Sequence, residues 1–179
     1  MILLIRHGEA AAAWGAAPDP GLSDLGAKQA RAAAARAKAL GAVNAVTSPM
    51  QRCRETAAAF ERHASVTARV EPAVSEIATP AAIKDRRAWL SELMAGAWAE
   101  AGDEFVDWRE RAVQAVAAAP DGTAVFSHFV AINAIVGALT GRDDVVVFKP
   151  ANCSITRLER RGGVLTVAEL GDEAPPVVL

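Results

Sequence analysis

Side chains suited to nucleophilic, acid–base or anion-binding roles lie in the segments that follow short apolar runs: Arg6, His7, Arg52, Glu76 and His128. An arginine guanidinium grips phosphate oxygens through two parallel N–H groups. A neutral imidazole is a competent nucleophile toward phosphorus. A carboxylic acid can protonate a leaving oxygen and later activate water. Together these residue types predict an anion-binding pocket that carries out phosphoryl chemistry.

Other interpretations of the same residues stay open at this point. Each residue alone is typical of a solvated surface charge or a satisfied polar group at a strand end. Two histidines and one glutamate also describe a metal-binding facial triad, the site of a metal hydrolase or oxygenase. Two arginines would repel a divalent cation, however, and the chain has no local His-x-Asp or His-x-x-x-His pair. A third possibility is a catalytically silent phosphate-binding domain. Such a domain would be expected to lack the acid or a histidine, and this chain has both.

The elements around these residues alternate between strand and helix patterns. Ser23 is a candidate N-cap, and Ser48-Pro49 resembles an N-cap followed by proline at the first helical position. The alternation predicts an α/β three-layer sandwich with a mostly parallel central sheet flanked by helices. We predict strands over 2–5, 42–47, 66–70 and 124–126, helices over 24–40, 50–63, 84–94, 104–118 and 129–139, and an antiparallel hairpin over 155–160 and 164–170.

The predicted topology brings the chemical residues together. In an open α/β sheet, ligands bind outside the carboxyl ends of the strands. The helices that follow Ser48 and His128 would also point free backbone amides and positive dipole ends at a bound anion. We therefore expect one pocket at this edge of the sheet.

Composition bounds the remaining possibilities. The chain has 179 residues, of which 52% are hydrophobic, and a formal net charge of −2. This size predicts one domain over 1–179, and the charge argues against nucleic-acid or membrane-surface partners. The apolar start, Met1 to Ile5, is too short for a signal-peptide core, so we expect a cytoplasmic protein. Cys53 and Cys153 lack zinc-site spacing and are expected to fill small buried spaces.

A series of motifs runs through nearly the whole chain. Their order and spacing resemble those of the histidine phosphatase superfamily, the phosphoglycerate-mutase-like proteins. The matching segments are Leu4-Ile5-Arg6-His7-Gly8-Glu9, Leu22 to Ala30, Ser48-Pro49-Met50-Gln51-Arg52-Cys53-Arg54-Glu55-Thr56-Ala57, Gly102 to Trp108, Ser127-His128 and Asn152-Cys153-Ser154.

The resemblance implies a role for each residue that matches a family motif. His7 would be the phosphorylated nucleophile, and Glu76 the general acid and base, with Glu9, Asp103 and Glu104 as rival carboxylates. The phosphoryl group would be bound by Arg6, Arg52 and His128. Gly8, Ser48 and Phe129 are expected substrate-binding residues. The resemblance implies no metal or other cofactor, a small phosphorylated substrate, and leaves a homo-oligomer open.

Departures from the family pattern concern the pocket and the activity. Ala10 and Ala13 stand where the family often has Thr and Asn, and Phe129 follows the second histidine where glycine is usual. Trp14 is a candidate residue of the loop over the pocket. The family's mutases are longer, with added segments that close over the substrate. We therefore expect a phosphatase, with phosphoglycerate-mutase-type transfer as the alternative.

Overall fold

The computed structural model describes residues 1–12 and 17–175, so Ala13 and Trp14 lie outside the described residues. A two-residue strand and a short 3₁₀ turn connect the second helix to the third. The elements are β1 (Ile2–Arg6), α1 (Asp24–Ala39), β2 (Asn44–Thr47), α2 (Gln51–Ala64), β3 (Arg69–Val70), the 3₁₀ turn (Pro72–Val74), α3 (Arg86–Ala95), α4 (Trp98–Ala101), α5 (Asp103–Ala117), β4 (Thr123–Ser127), α6 (Phe129–Thr140), β5 (Ile155–Arg161) and β6 (Val164–Glu169).

The described strands form a mixed six-stranded sheet in the order β3-β2-β4-β1-β5-β6. The β1, β2, β3 and β4 strands pair in parallel, and β5 pairs antiparallel to both β1 and β6. The predicted α/β class with an antiparallel hairpin at one edge is therefore confirmed. Because β1, β4 and β2 are neighbours and parallel, their carboxyl ends lie side by side.

Both faces of the sheet are covered, as β1 illustrates. Successive side chains of a strand point to opposite faces, and β1 is apolar on both. Leu3 and Ile5 pack with residues of α1 and α2 on one face, whereas Ile2 and Leu4 pack with residues of α5 and α6 on the other. Continuous apolar sequence is what a parallel strand buried on both faces requires.

The helix ends that flank the site follow from local sequence. The Ser23 hydroxyl accepts a hydrogen bond from the Gly26 amide at 3.0 Å, as an N-cap does, and α1 starts at the next residue. Gly141 adopts the left-handed conformation, with φ of 69°, directly after α6. The predicted N-cap at Ser23 is confirmed.

Several predicted boundaries are wrong. The Ala42 amide donates to the Ala37 carbonyl and so finishes the turn after α1 instead of starting β2. The Ala68 amide donates to the Glu61 carboxylate at 2.7 Å, which leaves only two residues of β3 to pair with β2. The short helix α4 was not predicted; the Trp98 amide at its start donates to the distant Asp143 carbonyl, a contact with no local sequence signal.

The start of α2 also differs from the prediction. Met50, not Ser48, is the N-cap residue, and Ser48 accepts a 3.2 Å hydrogen bond from the Met50 amide two residues on.

Within the part of the chain that is described, no helix has both the length and the apolar character that crossing a membrane would need.

Candidate active site

The predicted site residues converge at the carboxyl ends of three neighbouring strands. Arg6 ends β1 and His7 follows it, Arg52 lies in the first turn of α2 after β2, and His128 follows β4. Glu76 comes from the loop after the 3₁₀ turn. A cavity of about 490 Å³ opens here, and its lining includes Arg6, His7, Arg52, Glu76 and Phe129.

His7 is held as a neutral imidazole with one defined tautomer. The Nε atom of Arg52, which can only donate, bonds the His7 Nε2 atom at 3.1 Å. His7 Nδ1 must therefore carry the proton, which it donates to the Gly8 carbonyl at 2.7 Å. Burial lowers the pKa of His7 to about 3, and the charges of Arg52 and Arg6 act in the same direction. The lone pair of Nε2 is thus available as a nucleophile once Arg52 releases it.

His128 has the opposite tautomer. A terminal nitrogen of Arg52 donates to His128 Nδ1 at 3.1 Å, so the proton is on Nε2, which donates to the Ser48 hydroxyl at 2.8 Å. Burial, followed by the neighbouring His7, Arg52 and Arg6, lowers the pKa of His128 well below its usual value. The two imidazole rings lie 5.2 Å apart, centroid to centroid, in an edge-on arrangement.

Arg6 supplies a second guanidinium at the same end of the cavity. Its Nη1 atom donates to the Pro150 carbonyl at 2.8 Å, and its guanidinium carbon lies 5.3 Å from the centroid of the Phe129 ring. Among the described residues, no partner accepts from its buried Nε atom.

Glu76 is anchored on the first turn of α6. Its carboxylate accepts from the amides of Ile77, Val130 and Ala131, each at 3.2 Å. Burial raises the pKa of Glu76, while these amides and Arg52 partly oppose the rise. The carboxyl group is therefore predisposed to hold a proton that it can give to a leaving group.

The prediction that two free helix N-termini face the anion is wrong in this state. The first amides of α6 are occupied by Glu76. At α2, the Gln51 amide donates to both oxygens of Asp19 at 3.0 Å, and Asp19 lies 3.7 Å from the Arg52 guanidinium. Carboxylates of the protein itself therefore already accept from one amide at the start of α2 and from two at the start of α6.

The sequence analysis missed two residues that anchor the backbone of the site, Thr56 and Asn152, although both lie within the quoted motifs. The Thr56 hydroxyl accepts from the Gly8 amide at 3.0 Å, and it donates to the Arg52 carbonyl at 2.7 Å. The Asn152 side-chain amide donates to the His7 carbonyl at 3.0 Å. These bonds fix the loop that carries the nucleophile, and only the folded chain shows what the two side chains hold.

The predicted substrate-binding residues occupy different positions. Phe129 lines the cavity. Ser48 is fully buried and bonded to His128. Gly8 is buried where its backbone passes so close to Gly26 that an added Cβ would lie 2.6 Å from the Gly26 carbonyl oxygen. Contact of any of them with a substrate stays a prediction.

The structure also shows where the rival carboxylates and Arg54 lie. Glu9 lines the cavity and accepts from the Ser23 hydroxyl at 2.7 Å, whereas Asp103 and Glu104 are exposed at the start of α5. Arg54 follows Arg52 by two residues, which puts it on a different face of α2, and it is exposed to solvent.

The structure also bears on the metal alternative. In residues 1–12 and 17–175, no group of three His, Cys, Asp or Glu side chains is arranged to hold a metal ion. Arg52 donates to one ring nitrogen of each histidine, and the other ring nitrogens bond the Gly8 carbonyl and the Ser48 hydroxyl. The geometry of these residues favours anion binding over metal binding.

Comparison with known proteins places this arrangement in a family. The model of the histidine phosphatase superfamily (branch 1) matches residues 2–173. This chain belongs to the histidine phosphatase superfamily. The resemblance that the motifs carry is thereby confirmed. A comparison with curated proteins gave no match.

Solved structures with the histidine phosphatase fold cover almost the whole chain. A mycobacterial glucosyl-3-phosphoglycerate phosphatase has a TM-score of 0.74 at 22% identity and covers 94% of this chain and 97% of its own. The phosphoserine phosphatase of Entamoeba histolytica has a TM-score of 0.76 at 19% identity, with 96% of both chains covered. A protein called mycobacterial hydrolase 1 has a TM-score of 0.75 at 21% identity, covering 97% and 99%. At these identities the likeness establishes the fold.

Proposed function

We propose that this protein is a phosphatase that hydrolyses small phosphorylated metabolites through a phosphohistidine on His7, without a metal ion. The observation that carries the proposal is the Arg52 guanidinium between two neutral histidines, at 3.1 Å from a ring nitrogen of each. This places a cation beside an available imidazole lone pair, at the end of the cavity that Arg6 also lines. Phosphoryl transfer depends on such positioning and charge stabilisation.

The first step is phosphorylation of His7. The phosphoryl group of the substrate attracts the Arg52 N–H groups, so His7 Nε2 is released and attacks phosphorus. The bond between phosphorus and the ester oxygen breaks, and the protonated carboxyl group of Glu76 gives its proton to that leaving oxygen. Arg6 and Arg52 stabilise the charge on the other phosphoryl oxygens, and His128 accepts from Arg52 at Nδ1 and so positions that guanidinium.

The second step is hydrolysis of the phosphohistidine. Glu76, now ionised, takes a proton from water as the water oxygen attacks phosphorus. The bond between phosphorus and His7 Nε2 breaks, inorganic phosphate leaves, and Glu76 is again protonated. Two solved structures with this fold are of phosphatases, which supports hydrolysis over transfer to a second substrate.

The test is direct detection of the phosphoenzyme. Enzyme quenched during turnover of a ³²P-labelled monoester should carry phosphate that is labile to acid and stable to base, and His7→Ala should carry none. An acid-stable phosphoenzyme would contradict the nucleophile. Activity lost in a chelator and restored by a divalent cation would contradict the metal-free mechanism. Faster return of the phosphoryl group to phosphoglycerate than to water would favour the mutase alternative.

A further inference from the structure

The cavity has two chemically different regions. Arg6, His7, Arg52 and Glu76 form the phosphoryl end. The apolar wall, defined here by its lining residues, is built from small, cyclic and sulfur-containing side chains and one aromatic ring. Among the described residues, its members include Ala10, Ala12, Pro18, Met50, Met94 and Phe129. The volume of about 490 Å³ is within the range, about 300–1,000 Å³, in which small molecules bind.

Phe129 joins the two regions. It is the first residue of α6, directly after His128, so its ring lies beside the phosphoryl end. The ring is held there by its 5.3 Å contact with the Arg6 guanidinium. A group attached to the phosphoryl oxygen would therefore meet an aromatic surface first.

The polar groups among the lining residues are largely committed to the protein. The Asn152 side-chain amide donates to the His7 carbonyl, and the Glu9 carboxylate accepts from the Ser23 hydroxyl. Ala10 and Ala12 offer no side-chain hydrogen bond. Sugar hydroxyls in such a cavity would lose hydrogen bonds with water without full replacement, which is costly.

A second anionic group on the substrate would be repelled by one charged side chain of the cavity and attracted by another. The carboxylate of Glu9 lines the cavity and would repel it, whereas Arg86, from the start of α3, would attract it. The apolar wall outnumbers these groups, so we take an uncharged substituent as the better fit.

We propose that the organic part of the substrate is an uncharged, largely apolar group, as in an alkyl or arylalkyl phosphate monoester, with Phe129 as the specificity-determining residue. This proposal rests on the phosphatase function proposed above. Burial of the substituent against Phe129, Met50 and Met94 would supply the discrimination. One methylene in a hydrophobic pocket changes kcat/KM by about 10–200-fold, so a whole ring suffices for a clear preference.

The test compares three esters that all leave as alkoxides: benzyl phosphate, glycerol 3-phosphate and 3-phosphoglycerate. We expect kcat/KM for benzyl phosphate to exceed the other two values by about tenfold or more. In Phe129→Gly the ratio of benzyl phosphate to glycerol 3-phosphate should fall about tenfold, and Phe129→Leu should be intermediate. Val164→Thr, at an exposed hairpin position, is the matched control and should keep the wild-type ratio.

The possible results distinguish an error in the proposed substrate class from an error in the proposed function. Hydrolysis with 3-phosphoglycerate or glycerol 3-phosphate preferred would overturn the substrate class and leave the phosphatase intact. A preference for 3-phosphoglycerate that disappears in Arg86→Met would assign a carboxylate site instead. Hydrolysis of none of the three would overturn the proposed function and this proposal with it. If Phe129→Gly does not fold, inhibition of the wild type decides: benzylphosphonate should inhibit about tenfold more strongly than a dihydroxypropylphosphonate, and equal inhibition would overturn the proposal.

Discussion

Arg52 is the residue on which both histidines depend. Its guanidinium donates to His7 and to His128, and its backbone carbonyl accepts from Thr56. One side chain thereby sets the tautomer of two imidazoles and supplies the positive charge between them. No other residue described in the structure bonds a ring nitrogen of both histidines.

We predict that Arg52→Ala lowers kcat/KM by about 10²–10³-fold, the usual effect of removing one preorganised donor to a transition state. Arg54→Ala is the matched control, since Arg54 is exposed on the same helix, and it should stay close to wild type. Steady-state kinetics on both variants, with thermal melting to verify folding, checks this. Equal losses in the two variants would mean that Arg52 acts only through the stability of α2.

Burial raises the pKa of Glu76, the carboxyl group that the proposed mechanism uses as the acid of the first step. We predict that Glu76→Gln slows phosphorylation of His7 far more with an alkyl phosphate than with a nitrophenyl phosphate, whose leaving group needs little protonation. Dephosphorylation should slow with both. For the wild type, the rate with an alkyl phosphate should fall as the pH rises through the raised pKa. Single-turnover kinetics resolves the two steps.

Substitution of the rival carboxylate provides the counter-test. Glu9 lines the same cavity, and Glu9→Gln should leave both steps within a few-fold of wild type. If Glu9→Gln slows both steps and Glu76→Gln slows neither, the acid is misassigned.

At the scale of elements, the loop after β1 and the first turn of α1 pack backbone against backbone. The space at Gly26 is occupied by the Glu9 carbonyl oxygen, which an added Cβ would overlap, and Gly8 meets Gly26 in the same crossing. The loop that carries His7 is thereby pressed against α1. This close approach explains why both positions are glycine although neither needs a positive φ.

We predict that Gly26→Ala destabilises the protein and lowers activity. Helix propensity alone favours alanine by about 1 kcal/mol, but overpacking against backbone that cannot rotate away costs about 1–3 kcal/mol. Gly96→Ala is the control, because the nearest atom to its added Cβ lies 3.6 Å away. Chemical denaturation and kcat/KM measure the effect; a stabilised Gly26→Ala enzyme with full activity would show that the crossing is loose.

At the scale of the whole molecule, two buried neutral histidines couple stability to pH. The pKa of His7 falls from 6.5 in the unfolded chain to about 3 on folding. Below 6.5 the unfolded state therefore binds a proton that the folded state refuses, and stability falls as pH falls toward about 3. His128 acts in the same direction, whereas the raised pKa of Glu76 acts in the opposite direction, because its stabilising effect is lost as pH rises.

We predict that His7→Gln weakens the loss of stability on acidification. Between about pH 6 and 4.5, the free energy of unfolding of the wild type should fall more steeply than that of the variant, by about 1.4 kcal/mol per pH unit. His63→Gln is the control, since His63 is exposed at the end of α2, and should retain the wild-type slope. Urea titrations at several pH values measure both slopes. Parallel slopes for wild type and His7→Gln would contradict the burial of a neutral imidazole.

The fold could be predicted where a local sequence pattern indicates the same structure that packing in the folded chain requires. The apolar run of β1 and the glycine after α6 each specify one local structure, and the structure has both. The prediction fails at β3 and α4, where the Glu61 carboxylate and the Asp143 carbonyl take backbone amides. Contacts made by residues several or many positions away carry no periodic pattern, so propensity and spacing do not reveal them.

The sequence alone determined the family, the α/β class, and which residues lie at the carboxyl ends of the strands, because motif order and apolar periodicity are local properties of the chain. Tertiary structure decided how those residues are used. It placed Arg52 between two histidines and so set their opposite tautomers. It also brought Glu76 to the first amides of α6, which were predicted to donate to a bound anion and instead donate to this carboxylate. Distance and burial govern tautomer, pKa and the choice of hydrogen-bond partner, and both quantities exist only once segments far apart in the chain have packed together.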